Sequence, residues 1–190
     1  MSRTLVVFVE ETSAKALLDA ILPRILPEDV RHRVVPFEGK SDLEKQLIGK
    51  IRGWKAPNSK FLILRDQDSG DCRKVKEGIL ELCRRAGRRD AMVRIACHEL
   101  EAWYLGDLEA VERGLEVKGV SAQATSAKFR DPDRLNNAAQ ELESLTRGVY
   151  QKVGGTRRIA PHLDLSGTNR SMSFRVFCEG VRKLGVASAD

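Results

Sequence analysis

The chain has 190 residues, 42% of them hydrophobic, enough for a sizeable buried core and too apolar for a disordered polypeptide. Lysine and arginine number 33 against 27 acidic residues, a formal net charge of +6 that favours anionic partners. Aromatic residues are only 5%, which argues against a base-stacking platform; no apolar run approaches a transmembrane length, and MSRTLVVFVEETS is too short and too acidic for a signal peptide, so a cytoplasmic location without membrane contact is expected.

Residues 4–9, TLVVFV, form a continuous apolar run, as expected of a buried parallel strand. Ala14, Leu17, Leu18, Ile21, Leu22 and Ile25 then recur at helical spacing, and Pro27 ends that helix. Residues 33–37 are a second strand, with Pro36 marking its end or an edge. Ser41 and Glu44 have capping-box spacing for a helix that buries Leu43, Leu47, Ile51 and Trp54. Residues 60–65 are the third strand. Val75, Ile79, Leu82, Cys83 and Ala86 mark a third helix closed by Gly87, and residues 91–97 are a fourth strand. This β-α order predicts an α/β fold with a mostly parallel sheet, right-handed crossovers and ligands at the carboxyl ends of the strands.

Beyond residue 98 the strand signal fades. HELEAWYLGDLEAVERGL reads as short helices broken near Gly106, with Trp103 and Tyr104 as core residues, and residues 118–131 read as a loop. Asp131 and Pro132 open a helix through Leu135, Ala139, Leu142 and Leu145. Gly154 and Gly155 suggest a turn, and Phe174, Phe177, Val181 and Leu184 mark the last helix. The expected organisation is an α/β core over residues 1–105 with a helical C-terminal extension, 106–190, packed on it. Cys72, Cys83, Cys97 and Cys178 have no CxxC spacing; the last three lie on apolar faces as small core residues.

The third strand runs into Asp66, Gln67 and Asp68. In an extended chain, residues two apart point to the same side, so both carboxylates would face one hard cation. The competing reading is helix capping and an exposed turn. The first strand also ends in acids, Glu10 and Glu11, and the fourth is followed by Glu99 and Glu101. Clustered like charges repel unless a proton or a cation intervenes, which raises the metal reading above capping. Glu99 and Glu101 share a side only in an extended chain; once a helix has begun they diverge, and Glu101 is the favoured site acid, against a helix-start role.

A strand ending VE, a helix and an apolar strand ending DxD together resemble the Toprim domain of topoisomerases, bacterial primases and overcoming-lysogenisation-defect nucleases. That resemblance implies that Glu10, Asp66 and Asp68 hold Mg²⁺ or Mn²⁺, with Glu101 available to a second ion. The glutamate is usually followed by Gly in that family; Glu11 stands there instead. Across VEETSAKALLDAILPRIL, FEGKSDLEKQL, LILRDQDSGDC, IACHELEAWYLGD and IAPHLDLSGTNRSMSF, the chain resembles small bacterial Toprim-like proteins classed as a domain of unknown function (4276). The implied activity is a metal-dependent nuclease acting on DNA or RNA, with bacterial defence and a partner ATPase as the implied context.

Other residues join this expectation. Lys40 precedes a helix N-terminus where it would meet a phosphate, against the reading as an ordinary surface lysine. His162, a ligand or general base on one reading and structural on the other, lies in a polar group with Asp164, Asn169, Arg170 and Ser171, of which Arg170 and Ser171 would bind phosphate. Arg84, Arg85, Arg88 and Arg89 form a basic cluster for a nucleic-acid backbone, against the reading as a solvated surface. His32 and His98 carry no comparable signal. Two other classes remain open: a DxD nucleotide-sugar transferase, and a catalytically silent subunit that binds nucleic acid or a protein partner.

Overall fold

The computed structural model describes residues 3–186. Four strands, β1 (Arg3–Val9), β2 (Val30–Pro36), β3 (Ser59–Asp66) and β4 (Met92–Ala96), form one sheet in the order β2-β1-β3-β4. All neighbours are parallel. The expected α/β class holds, and each predicted strand lies within one to three residues of its observed bounds. The connections are helices α1 (Thr12–Ile25), α2 (Lys40–Arg52) and α3 (Cys72–Arg85).

The sheet is buried on both faces, which is why β1 and β3 read as unbroken apolar runs rather than alternating ones. On one face Val7, Val9, Leu62 and Leu64 pack with α1 and the C-terminal helices. On the other, Val6, Phe8, Phe61 and Ile63 pack with α2 and α3. The chain therefore winds outward from β1 in both directions. Its topological switch point lies between the carboxyl ends of β1 and β3, where open α/β sheets hold ligands.

The second half adds α4 (Ala102–Leu105), α5 (Leu108–Leu115), α6 (Ala138–Leu145), α7 (Lys152–Ile159) and α8 (Met172–Val186). These helices share one apolar cluster with β1, β3 and α1. Trp103 and Tyr104 are fully buried in it, and Trp103 packs on Phe174 and Phe177.

Several local expectations need correction. Ser41 does not cap α2: Gly39 holds the cap position at φ 97°, and Asp42 accepts from Glu38 N instead. Trp54 lies beyond α2 and stacks edge-on to Phe8 and Phe61. The helix expected from Asp131 is split into a 3₁₀ turn over Pro132–Arg134 and the separate α6. The loop 118–131 contains a 3₁₀ segment, Ser121–Thr125. Gly154 and Gly155 lie inside α7, not in a turn. Gly155 is there for proximity: a Cβ would sit 2.5 Å from Tyr150 Cδ2. Cys83 and Cys178 are buried as expected, whereas Cys97 is only half-buried.

Candidate functional site

Helix capping does not explain the DQD stretch, because another residue performs it: Asp71 accepts from Lys74 N at 2.9 Å and caps α3. Asp66 ends β3, and its backbone N donates to Glu10 Oε2 at 3.3 Å across the β1–β3 switch point. Side chains alternate along the strand, so Asp66 faces α4 and α7 while Arg65 faces α2 and α3.

Two groups of charges meet at Glu10. On one side lie Asp66, Glu11 and Glu101. Burial raises the Asp66 pKa well above the ordinary carboxylate range, and Glu10, Glu101 and Glu11 push it further. Burial likewise raises Glu10 and Glu101. Lys152, at the start of α7, pairs with Glu11 Oε1 at 2.8 Å. Burial opposes its charge, but Glu11, Glu101 and Asp66 outweigh that and raise its pKa. Tyr150 donates its hydroxyl to Glu101 Oε1 at 2.9 Å. On the other side, Arg65, only 8% exposed, lies 3.5 Å from Glu10 Oε1 and 3.2 Å from Glu44 Oε1.

Asp68 departs from the expected extended geometry. It sits at φ 55°, outside β3, so Asp66 and Asp68 do not share a face as a straight strand would make them. Its backbone N donates to His98 O at 2.8 Å, its carbonyl lies 3.2 Å from His98 Nδ1, and its carboxylate pairs with Lys40 Nζ at 2.9 Å. Asp68 still raises the Glu10 pKa by its charge, after burial and against the pull of Arg65. Lys40 reaches it because Gly39 N donates to Glu10 O at 2.8 Å, tying the start of α2 to the end of β1.

Glu99 and Glu101 diverge. Glu99 accepts from Ala139 N at 2.7 Å and pins α6, whereas Glu101 is buried beside Asp66. Three neighbours of these carboxylates escape sequence reasoning: Arg65, His98 and Lys152. His98 reaches Asp68 because β4 pairs with β3, an adjacency that the structure supplies. Lys152 carries no signal in the sequence, because only tertiary packing brings α7 there.

The other expected site residues lie elsewhere. Ser171 is fully buried, accepts from Phe174 N at 3.1 Å and donates to Asp133 Oδ1 at 2.7 Å, so its hydroxyl starts α8 and is closed to phosphate. His162 and Arg170 line a separate cavity with Arg24 and Arg113. Arg24 lies in the last turn of α1, roughly 18 Å along the axis from its first residue beside Glu11. Asp164 accepts from the Ser166 and Thr168 hydroxyls and backbone, which hold its pKa down to about 2. The basic cluster lies at the opposite end of the sheet from Asp66. Arg88 stacks over Phe61 and reaches Ser59 O, at the amino end of β3, roughly 23 Å from Asp66. Arg84 is paired with Glu77 and Glu81, while Arg85 and Arg89 project from the same far end.

The buried carboxylates repel one another, and an opposite charge at this site would relieve the repulsion. Among the described residues, no group of three or more His, Cys, Asp or Glu side chains stands in a metal-holding arrangement. Glu11 and Asp68 are engaged by Lys152 and Lys40 instead.

Residues 9–182 match the family model described as Domain of unknown function (DUF4276), and the chain belongs to that family. Among solved structures, the C-terminal region of the Xanthomonas campestris pv. campestris OLD protein is similar, with 16% identity, a TM-score of 0.45 and 94% of each chain covered. That likeness is too distant to carry an activity across. No curated protein sequence matches the chain. Among the described residues, no helix is long and apolar enough to cross a membrane.

Proposed function

We propose that the protein is a Mg²⁺- or Mn²⁺-dependent phosphoryl-transfer enzyme, a nuclease acting on DNA or RNA. The supporting observation is the set of carboxylates with raised pKa at the β1–β3 switch point, flanked by Lys40 and Lys152. Glu10, Asp66 and Glu101 would draw together to hold the cation, with Asp68 joining once Lys40 turns to a substrate phosphate. The cation supplies charge stabilisation at the phosphoryl oxygens. Lys40, exposed at the start of α2, meets an incoming phosphate, aided by the helix N-terminus. Lys152 offsets part of the buried negative charge, and Tyr150 fixes the orientation of Glu101. Burial around Asp66 limits water at the reacting centre and strengthens these interactions.

The test is cleavage of plasmid, single-stranded DNA and RNA with Mg²⁺ or Mn²⁺, using Asp66→Ala and chelator as controls. A second reading, a catalytically silent subunit, is favoured by the two lysine–carboxylate pairs that already neutralise Glu11 and Asp68. Nucleic-acid affinity that survives Asp66→Ala without any cleavage would support it. Bacterial defence beside a partner ATPase is the context that the Toprim resemblance suggests; co-purification with an ATPase encoded beside it is the check.

A further inference from the structure

The amino end of the sheet, opposite the acid cluster, gathers unpaired cations. Arg31, Arg33, Arg52, Lys55, Arg85 and Arg89 are exposed there, and none has an ion pair among the described residues. The contacts between them make one continuous patch. The Arg33 guanidinium lies 5.7 Å over the Trp54 ring, and Trp54 Nε1 donates to Ser59 Oγ at 3.1 Å. Arg88 donates to Ser59 O and stacks 4.5 Å over Phe61. Arg52 Nη2 donates to Arg85 O at 2.6 Å, which ties the ends of α2 and α3 together. Acids at this end are few. Asp90 is shared by Lys60 and Arg88, and Asp29 is taken by Arg3, which leaves Glu28.

Cations at helix ends answer the helix dipole, a reading that covers Arg52 and Arg85 beside the carboxyl ends of α2 and α3. It does not cover Arg31 and Arg33, two apart on β2, or Lys55 and Arg89 in loops. Crowded cations repel one another, and a polyanion relieves that repulsion. Arginine dominates the patch, and its planar fork matches phosphate oxygens. Trp54 is packed edge-on against Phe8 and Phe61, so it is not free to stack on an unpaired base. The backbone of a duplex is therefore the better fit than a single strand.

We propose that this end of the sheet holds the phosphate backbone of a nucleic-acid duplex, independently of base sequence. The choice of a nucleic acid over an acidic protein rests on the nuclease reading; the charge itself does not. Helix α2 runs from Lys40, beside the acid cluster, to Arg52 in the patch. A duplex held here and laid along α2 reaches Asp66 after roughly 23 Å, or about seven base-pair steps.

The probe is a labelled duplex of about 20 base pairs, DNA in one arm and RNA in the other, titrated in EDTA across a salt series by fluorescence anisotropy. Polyglutamate serves as competitor. Arg31→Ala, Lys55→Ala and Arg89→Ala, combined in one variant, remove side chains without a hydrogen bond or ion pair among the described residues. That variant should melt like the parent, bind at least one duplex about tenfold more weakly or worse, and lower the slope of log affinity against log salt by about 2.7. Lys118→Ala, Arg130→Ala and Arg157→Ala, exposed cations elsewhere, should change neither quantity. Equal losses in the two triple variants, an unchanged salt slope in the first, no duplex binding by the parent, or polyglutamate that competes as well as the duplex would overturn the proposal. Metal-dependent cleavage by a parent whose duplex affinity survives in the first variant would remove this surface and leave the nuclease reading standing. Affinity lost in the first variant, with no cleavage under any metal, would do the reverse.

Discussion

Gly114→Ala tests how the C-terminal helices hold the site. Gly114 lies in α5, where an added Cβ would stand 2.5 Å from Arg158 O and 2.7 Å from Ile159 Cα. Both atoms are main chain of α7 and its end, so neither can rotate away. Ordinary contact begins near 3.4 Å, and the helices must part by about 0.9 Å. Overpacking of this kind costs about 1–3 kcal/mol, and rigid backbone on both sides puts it near the upper figure. The gain in helix propensity from Gly to Ala returns about 1 kcal/mol. The net loss of about 2 kcal/mol corresponds to a melting temperature lower by roughly 4–8 °C for a chain of this size. Gly49→Ala is the control, on an exposed face of α2 where a Cβ meets nothing within 4 Å, and should raise stability by up to about 1 kcal/mol. The assay is thermal unfolding followed by circular dichroism. If Gly114→Ala matched Gly49→Ala in sign, the close α5–α7 approach would be refuted.

The acid cluster makes stability depend on pH. Because Asp66, Glu10 and Glu101 have folded pKa values raised above 3.8 for Asp and 4.5 for Glu, the folded state binds their protons more tightly than the unfolded one. Their contribution is complete below about pH 4 and is lost as pH rises through the elevated values. In chelator, Asp66→Asn should therefore melt higher than the parent at pH 7 and show little difference at pH 4; a parent more stable than the variant at pH 7 would count against the repulsion. Mn²⁺ at a hundred times its Kd should add about 2.7 kcal/mol to the parent at neutral pH, a gain that calorimetry should find absent in Asp66→Asn. Tyr150→Phe removes a hydrogen bond to a buried carboxylate and should cost about 1.5–3 kcal/mol in urea unfolding. Ser171→Ala should cost about 1–2 kcal/mol through its lost contacts to Phe174 N and Asp133, yet leave the affinity for single-stranded DNA unchanged in fluorescence anisotropy.

The strands were legible because burial on both faces leaves continuous apolar runs such as LVVFV and FLIL, and their parallel direction followed from the helices between them. Adjacency of β1 and β3, which the structure supplies, makes Glu10 and Asp66 neighbours. Asp68 was misplaced because its left-handed backbone is a local choice that no spacing rule encodes. The cationic half of the site was hidden for another reason: Lys152 and Arg65 are ordinary residues in the sequence and acquire a role only through packing against distant carboxylates. Ser171 and the Arg84–Arg89 cluster show the converse: density in the sequence does not set position in the fold. Polar and basic residues dense in sequence proved to be a helix start in one case and, in the other, side chains at the far end of the sheet.

The most direct measurement is cleavage of plasmid, single-stranded DNA and RNA by the purified protein in Mg²⁺ or Mn²⁺, beside Asp66→Ala and a chelator control. The account predicts metal-dependent cleavage of at least one substrate, lost in the folded variant. A folded parent that binds neither metal nor nucleic acid, or cleavage undiminished in Asp66→Ala, would contradict it.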